Sequence, residues 1–223
     1  MKKRFEVVTF DCYGTLIDWE EGIWGAFQRL AAQQGWTFTR EGILAAYHAV
    51  EPVVEGEQYR SYREVLAESA RRVTRTFGLN LPSGSESFLA DSLPAWRPFD
   101  DTNRALERLR SLGLSLGILS NVDDDLLAKT ISHFTVPFEF VITAEKVGSY
   151  KPELNHFIAA REAAGGRAWL HAAQSYFHDV LPARAMNIPT AWVNRHGSVP
   201  ELDERPDWEL SNLDQLADLL SEA

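Results

Sequence analysis

Four places in the chain set polar, reactive side chains directly after a short apolar run. Asp11 follows Phe5-Glu6-Val7-Val8-Thr9-Phe10 and leads into Cys12-Tyr13-Gly14-Thr15. Ser120-Asn121 follows the run 114–119, Lys151 ends Gly148-Ser149-Tyr150-Lys151, and Asp179 closes Gln174-Ser175-Tyr176-Phe177-His178-Asp179. A carboxylate such as Asp11 can attack carbon or phosphorus, splitting one difficult step into two through a covalent intermediate. A lysine within reach would hold it ionised and counter charge developed during turnover. Ser120 and Asn121 offer neutral donors to an anionic substrate group, and Gly14 permits a tight turn that presents backbone N–H groups beside Asp11. Singly, each has an ordinary explanation: Ser120 or Asp179 can cap a helix, and Lys151 can be a surface lysine. Four such coincidences at successive strand ends argue for one crevice. Cys12 is a candidate thiol nucleophile, but no histidine flanks it in sequence, so it reads as a buried structural cysteine.

The elements that must position these groups alternate. The runs 5–10, 114–119, 138–143, 169–173 and 190–194 read as buried strands. Helices are expected over 101–112 with Gly113 as C-cap, from about Asp123, from Pro152 to Gly165-Gly166, and over 180–187. This order implies a parallel sheet with right-handed crossovers, and ligands of such sheets bind outside the carboxyl ends of the strands. Residues 20–95 break the alternation with helical segments at 20–34, 40–50, 59–77 and 85–93, punctuated by Gly35, Pro52 and Gly78. The expected fold class is therefore α/β, a doubly wound parallel sheet (a Rossmann-like core) with an inserted all-α helical cap. The core domain is 1–18 and 97–223, and the cap, 19–96, is expected to act as a lid that excludes water.

A chain of 223 residues, 45% of them apolar, can bury a substantial core. Its formal charge of −10 argues against a nucleic-acid or anionic-membrane surface, and Arg71, Arg72 and Arg75 read as a solvated helix face. No apolar run approaches the roughly 20 residues of a membrane span. Met1-Lys2-Lys3-Arg4 passes directly into the first strand, too short and polar for a signal peptide. One cysteine excludes an internal disulfide framework, and a cytoplasmic protein is expected.

These residues resemble the haloacid dehalogenase superfamily. Asp11-Cys12-Tyr13-Gly14-Thr15-Leu16 matches its first motif, Ser120-Asn121 the second, Lys151-Pro152 the third and Asp179 the last acidic position of the fourth, in order across residues 5 to about 196. Phosphatases of the superfamily carry a second aspartate two residues after the nucleophile, where this chain has Tyr13. They also carry an acidic metal-holding residue where it has Gln174. With Asp11 and Asp179 as the obvious carboxylates for a hard cation, the resemblance favours metal-independent chemistry without a cofactor.

Asp-x-Tyr-Gly-Thr looks like the signature of the L-2-haloacid dehalogenase branch. The resemblance implies that Asp11 displaces halide from the carbon next to a carboxylate, giving an aspartyl ester that water hydrolyses. Lys151 is then its charge partner, and Thr15 and Asp179 orient Asp11 and the lytic water. Cys12, Tyr13, Ser120 and Asn121 line the site of a small carboxylate substrate, Ser120 binding the carboxylate. A homodimer is compatible with the resemblance. There are departures. Ile43 stands near the place of a cap arginine, with Arg40 close by, and Phe157 replaces a tyrosine. The fourth motif also differs from the Ser-Ser-Asn pattern. A related branch hydrolyses azetidine-2-carboxylate, whose ring nitrogen would need a proton donor, for which His178 is a candidate. A Mg²⁺-dependent phosphatase and a non-catalytic binding protein are the further alternatives. Trp19, Trp24, Trp96 and Tyr62 are candidate apolar walls, and Asn194-Arg195-His196-Gly197 is read as a structural or interface turn.

Overall fold

The structure, a computed structural model, describes residues 5–200 and 202–222. Met1-Lys2-Lys3-Arg4, on which the reading of the N-terminus rests, lies outside the described residues. The described residues divide into two compact units. One comprises Met1–Ile17, Pro98–Asn121 and Ser132–Ala223, and the other Asp18–Arg97 and Val122–Ile131.

In chain order the elements are β1 (Val7–Phe10), α1 (Trp19–Gln34), α2 (Arg40–Glu55), α3 (Tyr62–Thr76), α4 (Phe88–Ser92), α5 (Thr102–Ser111), β2 (Ser115–Ser120), α6 (Asp124–Ile131) and β3 (Phe140–Thr143). They continue with α7 (Ala144–Val147), α8 (Asn155–Ala164), β4 (Trp169–Ala173), α9 (Leu181–Ala185), β5 (Thr190–Val193), β6 (Trp208–Leu210) and α10 (Leu213–Ser221). A 3₁₀ turn occupies Leu93–Ala95 and a π turn Tyr176–Val180.

The first unit is the α/β unit that the alternation predicts. Its six strands lie in the order β3-β2-β1-β4-β5-β6, every pair parallel. The four residues of β1 and the five of β4 are all buried, as strands covered on both faces require. The chain builds outward from β1 on one side and resumes at β4 on the other. The β1–β4 boundary is thus the switch point of the sheet, where ligands of such folds bind. In that pair Thr9 is in register with His171 and Phe10 with Ala172. On one side of the sheet Phe157, Ala160 and Ala164 of α8 pack with Leu119, Ile142 and Trp169, each large apolar side chain removed from water contributing about 1.5–3 kcal/mol.

Three expectations shift. Pro152 does not open α8: Lys151-Pro152 is a cis peptide in a turn, and the helix begins at Asn155. Pro52 does not end α2, which runs to Glu55 because Val54 and Glu55 continue its buried face. The short α7, the edge strand β6 and α10 were not anticipated.

The second unit is all-helical. Ser61 and Glu64 form a capping box at the start of α3. The segment 122–131 belongs here because the Asp123 carboxylate accepts the Tyr62 and Arg63 N–H groups at 2.8 and 3.0 Å. Two N–H groups that α3 leaves without an intrahelical partner are thereby satisfied by an anion. Trp19 packs against Tyr47 and edge-on against His48, while Trp96 lies against Gly22, where a Cβ would come within 2.3 Å of the indole. Ile43 is buried, and Arg40 is paired with Glu20 and Glu21. No helix among the described residues is long and apolar enough to cross a membrane.

Candidate active site

The carboxyl ends of β1, β2 and β4, with the turn before α8, bring Asp11, Thr15, Ser120, Asn121, Lys151 and Asp179 together within the α/β unit. Lys151 is at the centre. Its ammonium, 2% exposed, donates to Asp11 Oδ1 at 2.9 Å, to Asp179 Oδ1 at 2.7 Å and to the Leu119 carbonyl at 2.9 Å. All three protons of the ammonium are therefore committed, and the lysine fixes two carboxylates at once. The backbone of Lys151 is held as firmly. Asn121 Oδ1 accepts its N–H at 2.7 Å, and Asn121 Nδ2 donates to its carbonyl at 3.0 Å.

Asp11, 8% exposed, accepts Lys151 on one oxygen and the Thr15 hydroxyl on the other, at 2.9 Å. Thr15 in turn accepts the Gln174 N–H at 2.8 Å, so its hydroxyl proton is directed to Asp11. The loop between them is wound tightly: Leu16 and Ile17 N–H both donate to the Cys12 carbonyl, and Gly14 takes φ 100°, a conformation costly for other residues. Arg195 Nη2 donates to the Thr15 carbonyl at 2.8 Å and its guanidinium meets Asp101 at 3.1 Å. The turn expected to be structural thus anchors the nucleophile loop.

Asp179 sits on the π turn that follows β4, a wide turn of the kind often found at functional sites. Its Oδ1 accepts both Lys151 and His171 Nε2, the latter at 3.0 Å, while the buried Oδ2 has no hydrogen-bond partner among the described residues. Ser120 Oγ is likewise buried without a partner, a donor available to a ligand at the end of β2. Tyr13 is half-buried. Burial and the Asp11 charge push the Cys12 thiol far up, so it is no nucleophile at neutral pH.

The charges are divided unequally. Burial raises the Asp11 carboxyl above its ordinary value, with the Asp179 charge adding to it, and Lys151 offsets only part. Burial would also raise Asp179, but Lys151 and the His171 hydrogen bond outweigh it and hold it low. Lys151 stays charged because the two carboxylates outweigh its desolvation. Burial holds His178 down to about 4 and His156 down to about 3, both neutral at pH 7.

A hard cation finds a poor donor set here. Each carboxylate gives one oxygen to Lys151, Tyr13 and Gln174 bring no further carboxylate, and no cluster of three metal-binding side chains occurs among the described residues.

The profile of the family described as haloacid dehalogenase-like hydrolase matches residues 5–173. The chain belongs to the haloacid dehalogenase-like hydrolase family. It is 27% identical to an (S)-2-haloacid dehalogenase of Pseudomonas sp. (strain YL) over 97% of this chain and 94% of the relative. It is also 27% identical to haloacetate dehalogenase H-2 of Moraxella sp. (strain B), over 98% and 99% of the two chains. The crystal structure of an L-2-haloacid dehalogenase superposes with a TM-score of 0.84 at 25% identity, covering 97% of this chain and 99% of that one.

Within this hydrolase the reading of the sequence missed His171, Thr9 and Trp169. The first two carried a signal: each is a polar residue inside an otherwise apolar buried strand.

Proposed function

We propose that this hydrolase cleaves the carbon–halide bond of a small 2-haloalkanoic acid without a metal ion or other cofactor. One observation carries the reading: Lys151 joins Asp11 to Asp179, while the two positions where a phosphatase needs carboxylates hold Tyr13 and Gln174. The similarity to 2-haloacid dehalogenases along nearly the whole chain supports the substrate class.

An Asp11 oxygen attacks C2, the C2–O bond forms, and the halide leaves with the electron pair of the broken bond. Halide needs no proton, so no general acid is required at position 13. Water then adds to the Asp11 carboxyl carbon, and the bond from that carbon to the former Asp11 oxygen now on C2 breaks. One water proton ends on the 2-hydroxy acid and the other is released. Thr15 and Lys151 hold Asp11 for both steps, and Asp179 orients the lytic water. Ser120 Oγ, with the surroundings of Cys12, Tyr13 and Asn121, receives the substrate carboxylate. The core 1–18 and 97–223, the helical cap 19–96, a cytoplasmic setting and a homodimer belong to the same proposal. The neutral His178 gives no support to the ring-opening alternative, which needs a proton donor.

The test is a panel of chloro-, bromo- and fluoroacids, azetidine-2-carboxylate and phosphate monoesters, assayed with chelator present. Halide release, with ¹⁸O from solvent entering Asp11 before product in a single turnover, is expected. Activity confined to phosphate monoesters with Mg²⁺ would overturn the proposal.

A further inference from the structure

Behind Asp179 the hydrogen bonds continue inward along the sheet. His171 Nε2 is 3.0 Å from Asp179 Oδ1, His171 Nδ1 is 2.9 Å from Thr9 Oγ1, and Trp169 Nε1 is 2.6 Å from the same hydroxyl. All four side chains are buried, and the sheet itself builds the chain of contacts. Thr9 is in register with His171 across the β1–β4 pair, and Trp169 precedes His171 by two residues on β4, on the same face of the strand. Phe157 closes the side of the imidazole, its ring edge-on with centroids 5.2 Å apart.

With a single ring proton on His171 and Asp179 ionised, the donors and acceptors have one arrangement that satisfies every contact. The indole N–H can only donate, so it occupies a lone pair of Thr9 Oγ1. The hydroxyl proton then points to His171 Nδ1, which must be the bare nitrogen, and Nε2 carries the proton that faces Asp179. The opposite tautomer would set a bare Nε2 against a carboxylate oxygen, two acceptors in contact.

We propose that His171, locked in its Nε2–H tautomer by Thr9 and Trp169, is the positioning residue of Asp179. It draws Oδ1 to the side shared with Lys151 and so leaves Oδ2 as the oxygen free to act on the lytic water. This rests on the roles of Asp11 and Asp179 proposed above. Its consequence is confined to the second step: loss of the lock slows hydrolysis of the Asp11 ester and spares halide displacement.

Thr9→Val, nearly isosteric, removes the lock, and Thr9→Ser restores it. In rapid-mixing assays with an (S)-2-haloacid, Thr9→Val is expected to release the first equivalent of halide at the wild-type rate. Steady turnover should then fall about tenfold, with the Asp11 ester accumulating by mass spectrometry, while Thr9→Ser behaves as wild type. Long-range ¹H–¹⁵N spectra of the wild-type imidazoles, six in the chain, should show His171 as Nε2–H at neutral pH. A His171 in the Nδ1–H form, or equal losses of both steps in Thr9→Val, would overturn the proposal and leave the dehalogenase reading intact. A wild-type enzyme that forms no ester would overturn both.

Discussion

The Asn121 side chain and the Lys151 backbone form a two-point clasp, Oδ1 accepting from N–H at 2.7 Å and Nδ2 donating to C=O at 3.0 Å. The amide thus does for Lys151 what a neighbouring strand does in a ladder, and it fixes where the ammonium begins. Both polar atoms of the Asn121 amide bond to the Lys151 backbone.

Asn121→Ala is expected to leave the Lys151 N–H and carbonyl unpaired, at a cost of about 1–3 kcal/mol for a buried group. With Nζ displaced, kcat should fall by about tenfold or more while KM moves little. Denaturation midpoints and steady-state kinetics of the same preparation check both. An unchanged kcat with a raised KM would instead place the amide on the substrate.

Lys151→Met should be worse, because it leaves two buried carboxylates facing each other. Losing one partner of a buried ion pair costs about 3–5 kcal/mol. The pH dependence has a definite sign. Without the ammonium, the carboxyl groups of Asp11 and Asp179 have pKa values in the folded state above those of the unfolded chain. Stability should therefore be greatest at acid pH and decline as pH rises through the folded-state values. The wild type behaves oppositely at Asp179. Its depressed pKa contributes stability that is present above the unfolded value, near 3.8, and is lost as pH falls through the lower folded value. Urea midpoints from pH 2 to 8 cover both windows and test the reversal.

Thr15→Val removes the hydroxyl that donates to Asp11 and accepts from Gln174 N–H. Because Asp11 acts only when ionised and burial already raises its pKa, kcat/KM in the wild type should fall on the acid side at a pH above 3.8. The Thr15 hydrogen bond opposes that rise, so Thr15→Val should move the acid limb to still higher pH, and Thr15→Ser should restore it. A limb that stays in place in Thr15→Val would mean that another group sets it.

Much of this architecture is legible in the chain, for a physical reason. Strands buried on both faces must be apolar runs, and a parallel sheet delivers whatever follows them to one edge, so Asp11, Ser120, Asn121 and Asp179 could be read as neighbours. The strand β6 could not be read in this way. It has three residues at the sheet edge, none of them buried, and lacks the apolar run that marks the others. Proline positions misled because Pro52 is tolerated inside α2 and Pro152 lies three residues ahead of α8. The His171 relay was hidden for a different reason. Thr9 and His171 meet through strand register across 162 positions, which a single sequence does not declare.

Arg195 shows how far from the nucleophile the site is supported. Its guanidinium lies 3.9 Å over the Phe99 ring, meets Asp101 at 3.1 Å and donates to the Thr15 carbonyl at 2.8 Å. Asp101 Oδ2 also accepts the N–H of Leu213, at the start of α10, so one cation ties three segments together. Arg195→Gln would strand the buried Asp101 carboxylate and release the nucleophile loop. A loss of about 2–4 kcal/mol and a tenfold or larger fall in kcat are expected. Arg195→Lys keeps the charge but neither the fork that spans two acceptors nor the flat face that stacks on Phe99, and should recover less than half of the lost stability. If Arg195→Gln lost stability alone and kept its kcat, the bond to the Thr15 carbonyl would be excluded as a determinant of Asp11 geometry.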